Sequence, residues 1–117
     1  MSQAYFKFLQ LSRTLKARDC GSLSADHIAV LEVIVLAWHE GSPMAVRDVT
    51  RLNELGSPAT LHKRLSLLRD AGFIEVKAVD SDHRIKLLAP TTKAVKHFDQ
   101  LGQAMALQII GAATPSA

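Results

Sequence analysis

The sequence predicts a mainly α-helical chain with one small β-hairpin, and three observations lead there. Apolar residues recur at three- and four-residue spacing along most of the chain, the pattern of amphipathic helices. Two short β-rich runs, Phe73 to Val79 and Arg84 to Leu88, are separated by four polar residues, as in a hairpin. Aromatic residues make up 5% of the chain against 48% hydrophobic residues in all. A core of Leu, Ile, Val and Ala suits packed helices better than a sandwich or an aromatic pocket. The 117 residues give room for one domain and one core.

The first helix is expected from Gln3 to about Arg18. Its apolar residues, Tyr5, Phe6, Phe8, Leu9, Leu11 and Leu15, cover more than one face, so it requires two neighbours. Gly21 breaks it. Ser24 then offers a side-chain oxygen as cap for a second helix, with Asp26 near the positive end of the dipole. That helix runs to about Glu40, where Gly41, Ser42 and Pro43 end it. Trp38 is read as a core anchor in it, with a small-molecule cleft as the alternative placing.

A short helix follows, with Val46, Val49 and Leu52 on one stripe and a poor cap at Ala45. The sharpest helix start in the chain is Leu55-Gly56-Ser57-Pro58. Gly turns the chain, Ser57 caps, and Pro58 occupies the first helical position, where no amide donor is needed. Leu61, Leu65 and Leu68 fix the inward face of this helix, and Gly72 stops it. Ala59, Lys63, Ser66 and Asp70 then point outward, with Thr60 and His62 on the flanks.

The hairpin comes next, with Asp80-Ser81-Asp82-His83 as its polar tip, and Pro90 is expected to bar further ladder pairing. Thr91 or Thr92 caps a last helix that turns Val95, Phe98, Leu101 and Met105 inward and ends near Ile110. Residues 111–117 are expected to form a flexible tail. The whole is read as a single domain: an N-terminal helix in 1–20, a core in 23–90 and a C-terminal helix in 91–110.

Three helices followed by a two-stranded hairpin make a winged helix-turn-helix, whose third core helix lies in the major groove of a duplex with the hairpin beside it. Here those parts are Ser57 to Ala71 and Phe73 to Leu88. A capped helix N-terminus presents free amides and a positive dipole end to phosphate, and the small residues at Ser57 and Ala59 permit close approach. The first and last helices carry more apolar surface than so short a chain buries alone, so a homodimer through them is expected.

This chain resembles the multiple-antibiotic-resistance regulator (MarR) family of bacterial winged-helix transcription factors over Leu23 to Thr92. The carriers are Leu23, Ser24, Val30 and Leu31 opening the second helix, Ser57-Pro58-Ala59-Thr60-Leu61 entering the recognition helix, and Leu68-x3-Gly72-Phe73-Ile74 leading into the wing. Asp82-x-Arg84 followed by Thr91 is similar to the family's wing motif. The resemblance implies a homodimeric, sequence-specific regulator of transcription, most simply a repressor, bound to double-stranded DNA. It implies that Ser57, Ala59, Thr60 and Lys63 meet the major groove. It also implies that Arg84 enters the minor groove while Asp82 helps orient it. His62 and Arg64 join this set from their place on the same helix.

Each residue also has a plainer reading. Lys63 and Arg64 suit an ordinary solvated helix face, and His62 suits solvent as well as a base or phosphate. Arg84 can pair with Asp82 or Asp80 across the hairpin tip while still reaching DNA. Beside a DNA-binding regulator stand two other readings, a winged-helix module for protein contacts and a DNA-binding accessory of plasmid or phage replication or partition.

No enzyme class is indicated, for the chain has no phosphate-cradling Gly-rich loop, Gly-x-Ser-x-Gly elbow or His-Glu-x-x-His pair. The carboxylates and imidazole of the hairpin tip are exposed turn residues without the enclosed surroundings catalysis uses. His27 and His39 near the two ends of the second helix, and His97 on the last, stand without ligands at metal spacing, so neither metal nor cofactor is expected. The single Cys20 follows Asp19, whose carboxylate discourages thiolate formation, and one cysteine forms no internal disulfide. A small-molecule effector is compatible with such a regulator, although no residue specifies one. The apolar stretch Ile28 to Trp38 is too short to span a membrane, and the cytoplasm is the expected compartment. The net charge of +3 and isoelectric point near 9.3 permit an acidic partner without requiring one.

Overall fold

The computed structural model describes the backbone of residues 3–79 and 81–113, with the side chains of all these except residues 82–83 and 108–113. The order is α1 (Gln3–Cys20), α2 (Ala25–His39), α3 (Val46–Thr50), one 3-10 turn (Asn53–Leu55), α4 (Pro58–Asp70), β1 (Ile74–Val79), β2 (Asp82–Pro90) and α5 (Thr92–Ala113). The expected mainly helical fold with a hairpin is therefore present. Two units divide it, one of Leu23–Ala94 and one of Met1–Ser22 with Val95–Ala117. The hairpin tip at Asp80 and the tail 114–117 lie outside the described residues.

The larger unit is a helix-turn-helix with its wing. Ser24 caps α2, accepting from the His27 amide at 3.3 Å, while the Ser24 amide donates to His27 Nδ1 at 3.2 Å. The imidazole thus takes the part a Glu or Gln plays in a capping box. Gly41, at φ +80°, closes α2 and lets the Ser42 amide return to the Ala37 carbonyl at 3.0 Å. Ala45 has no oxygen for capping α3, and Asp48 accepts from the Ala45 amide at 2.9 Å instead.

Ser57 caps α4 as expected, accepting from the Thr60 amide at 3.3 Å, and Pro58 stands in the first turn. Gly72, at φ +82°, ends α4, with the Phe73 amide on the Leu68 carbonyl at 2.9 Å. The core joins Val30, Leu31 and Ile34 of α2 to Val49 of α3, Leu61, Leu65 and Leu68 of α4, Phe73, Ile74 and Leu88. All three leucines expected inward are buried there.

β1 and β2 pair antiparallel, with Ile74 opposite Pro90, Val76 opposite Leu88 and Ala78 opposite Lys86. Pro90 does not stop the ladder short of itself: β2 includes it, and the next amide, that of Thr91, donates to the Phe73 carbonyl at 3.1 Å. Only the proline's own amide is missing, so Pro is tolerated at the end of an edge strand. Val79 pairs with Asp82, and the register shifts between Ala78 and Val79. The connection is therefore shorter than the four residues expected, because the irregularity lies within β2 rather than in the turn. A further short strand contact joins Ala45 to Leu87, with the Leu88 amide on the Met44 carbonyl at 2.8 Å. It ties the wing to the start of α3.

Thr91, of the two threonines, caps α5. Its hydroxyl accepts from the Ala94 amide at 3.2 Å and donates to the Gly72 carbonyl. Lys93 donates to the Ala71 carbonyl at 3.0 Å and lies over the Phe73 ring, at 4.4 Å from its centre.

In the smaller unit, α1 and α5 meet through a polar contact that sequence reading did not find. His97, 3% exposed, brings Nδ1 to 2.8 Å from Asp19 Oδ2. Arg18 also holds the Asp19 carboxylate, at 2.8 Å, and donates to Gln100. With two donors on it, Arg18 first and His97 second, Asp19 titrates well below the usual carboxylate range, at about 2. The expected inward stripe of α5 is turned by about one residue. Ala94, His97 and Ala104 are buried, whereas Met105 is 48% exposed. Val95, Phe98 and Leu101 of the expected stripe are half-buried beside them. Trp38, expected in the core, is 43% exposed.

Candidate nucleic-acid interface

α4 presents the candidate surface because its three leucines hold one face down. Ser57, Ala59, His62, Lys63, Ser66 and Asp70 are all exposed. Thr60 is half-buried, and its hydroxyl accepts from the Ser57 hydroxyl at 2.9 Å. Ser57 and Thr60 therefore shape the helix entrance besides bordering the open face.

Arg64 departs from the solvated helix face considered from the sequence. Its Nη1 donates to the Leu55 carbonyl at 2.6 Å and its Nη2 lies 3.6 Å from Asp26, with 20% of the side chain exposed. The guanidinium turns toward its own chain and clamps the turn before α4.

Arg84 is exposed on β2, within the register shift between the paired residues Asp82 and Lys86, and Asp82 enters the strand opposite Val79. The side chain of Asp82 lies outside the described residues. Arg84 lines the same depression as Arg47 of α3 and His62 and Arg69 of α4.

Two depressions flank α4. The larger, about 1000 Å³, lies between α3, α4 and the wing. It brings His62 and Arg84 together with Arg47, Arg69 and Lys86, over apolar walls that include Val76 and Ile85. The shallower one, about 420 Å³, is bordered by His62, Lys63, Ser66, Leu67 and Asp70. His62 borders both and so stands on the ridge between them. Arg47, Arg69 and Lys86 were not singled out from the sequence. Arg69 follows His62 by seven residues, two helical turns on the same face, and that spacing was the available signal. Among the described residues no cluster of His, Cys, Asp or Glu is arranged to hold a metal ion. No single helix there is long and apolar enough to cross a membrane.

A helix-turn-helix whose last helix is followed by a paired hairpin is a winged helix, and that is the class to which this architecture belongs. The type within the class comes from solved structures. The transcriptional regulator Tm0710 from Thermotoga maritima is 16% identical, with a TM-score of 0.65 over 91% of this chain and 70% of that one. S. aureus MepR, solved as a DNA complex, is 14% identical, with a TM-score of 0.65 over 90% of this chain and 81% of that one. MarR is 17% identical, with a TM-score of 0.56 over 87% of this chain and 72% of that one. The fold is that of the MarR-type winged-helix regulators. This chain spans 57% of the length of Lactococcus lactis ZitR, another match. No family model and no curated protein matches the sequence.

Proposed function

We propose that this chain is a sequence-specific double-stranded DNA-binding regulator of transcription, a repressor acting as a homodimer, and not an enzyme. One observation carries the reading: α4 has its leucines buried and a small-residue, basic face open beside a wing that bears Arg84. Such a helix, about 10 to 12 Å across, fits a major groove about 12 Å wide. The free amides of its Ser57-capped end then face phosphate. S. aureus MepR and the regulator AbfR, which share this fold, were solved bound to DNA.

In this reading Ala59, His62 and Lys63 face base edges, Ser57 and Thr60 border the backbone at the helix entrance, and Arg84 reaches the minor groove with Asp82 beside it. The dimer forms through α1 and α5. Tyr5, Phe6 and Leu11 on α1 and Met105 and Leu107 on α5 are large apolar side chains left exposed in the single chain. A second copy covers them and sets two α4 helices about one duplex turn apart. Bound over a promoter, the dimer represses by occlusion, and its working place is the cytoplasm.

Titration against random-sequence duplex at several salt concentrations tests this. A DNA binder loses affinity steeply as salt rises, because its cations release counterions from phosphate. Affinity that is absent, or indifferent to salt, defeats the proposal.

A further inference from the structure

We infer that the groove between α4 and the wing seats one sugar-phosphate strand, with Arg47, Arg69 and Lys86 as its phosphate-binding side chains. The inference rests on the DNA-binding reading above and adds three residues and a path for the backbone. Four cations, Arg47 from α3, Arg69 from α4 and Arg84 and Lys86 from β2, line this groove, and among the described residues no carboxylate lines it. All four are exposed.

Their surroundings separate three of them from cations engaged elsewhere on the chain. Arg18 is held by Asp19, Lys77 pairs with Glu75 at 3.4 Å, Lys93 is spent on the Ala71 carbonyl, and Arg64 on the Leu55 carbonyl. Among the described residues, Arg47, Arg69 and Lys86 form no ion pair. Like charges gathered from three elements repel one another until an anion enters among them.

Duplex geometry supplies that anion. With α4 in a major groove and the wing in the adjacent minor groove, the wall between the two grooves is a single sugar-phosphate strand. That strand must cross the space between helix and wing, where the cations stand. Arg47 and Arg69 can fork onto phosphate oxygens, and Lys86 acts as a point charge. Contacts of this kind set register and orientation and carry no sequence information themselves. The apolar side chains of Val76 and Ile85 at the groove wall meet the sugars.

The test is the triple variant Arg47→Gln, Arg69→Gln, Lys86→Gln, titrated against specific and random duplex across a salt series. Its control, Lys7→Gln, Arg13→Gln, Lys96→Gln, removes the same charge from α1 and α5. Circular dichroism and thermal midpoints establish that both are folded, and the three single groove variants are measured alongside. The groove triple should lower the slope of log affinity against log salt by about 2.7 per bound subunit, about 0.9 for each single variant. The loss should be the same on every sequence, and the control should lower the slope by less than about 1.

A wild-type slope in the groove triple, with Lys63→Ala still weakening binding, overturns the strand path and leaves the DNA reading standing. Equal slopes in triple and control also overturn it, by reducing the effect to bulk charge. Wild-type protein with no salt-dependent affinity for duplex removes both readings together.

Discussion

Replacing Arg64 with alanine should destabilise the fold while leaving the electrostatics of DNA binding intact. The guanidinium donates to the Leu55 carbonyl at 2.6 Å, across the turn that aims α4. A hydrogen bond from a charged donor contributes about 1.5 to 3 kcal/mol, and its loss leaves that part-buried carbonyl short of a partner. The ion pair to Asp26, at 3.6 Å with the carboxylate side chain 73% exposed, adds at most about 0.5 kcal/mol. The expected loss is therefore about 2 to 3 kcal/mol. In a domain of this size that lowers the thermal midpoint by roughly 8 to 12 °C. Urea unfolding measures it, and Arg64→Lys should restore less than half, since a lysine has one ammonium where the guanidinium reaches two partners. The salt slope for duplex, taken well below the midpoint, should match wild type. An unchanged urea midpoint combined with a slope reduced by about 0.9 per subunit would refute the reasoning and put Arg64 on the DNA.

Three other outcomes follow from the same structure. Ser57→Ala should cost about 1 kcal/mol in thermal unfolding through loss of the α4 cap. Leu68→Ala, at a fully buried position, should cost about 2 to 5 kcal/mol by urea unfolding, which compares with the whole stability of a small domain. Asp19 has its folded pKa pushed from 3.8 to about 2 by Arg18 and then His97. Because the folded value is the lower one, its stabilisation is present above about pH 4 and lost as pH falls toward 2. Urea midpoints followed through that window should fall more steeply for wild type than for Asp19→Asn, and parallel curves would remove Asp19 from the linkage.

What the sequence disclosed was local. Ser57, Pro58 and Gly72 mark the ends of α4 because caps and turns are decided within a few residues, and Leu61, Leu65 and Leu68 sit on a single stripe. The same stripe held the warning about Arg64. It lies about 40° around the wheel from Leu68, at the rim of the buried face, where a long side chain can reach back to its own backbone. On α5 the larger apolar residues drew the inward stripe, but Ala94 and Ala104 are what close packing selects, together with a histidine satisfied by Asp19. That partner comes from a helix 78 residues away in sequence, so no periodicity could announce it. The Ala45–Leu87 bridge is equally non-local, and it brings Arg47 beside the wing. Trp38 shows the limit of composition, since a large apolar residue marks a core or an open surface equally well until its neighbours are placed.

The most direct test is to follow backbone amide resonances while duplex DNA is added. Progressive shifts at Ser57, Ala59, Thr60, His62 and Lys63, accompanied by Arg84 and its neighbours on β2, are the expected result. Shifts confined to α1 and α5, or none at all at duplex concentrations that saturate binding, would contradict the assignment of α4 to the groove.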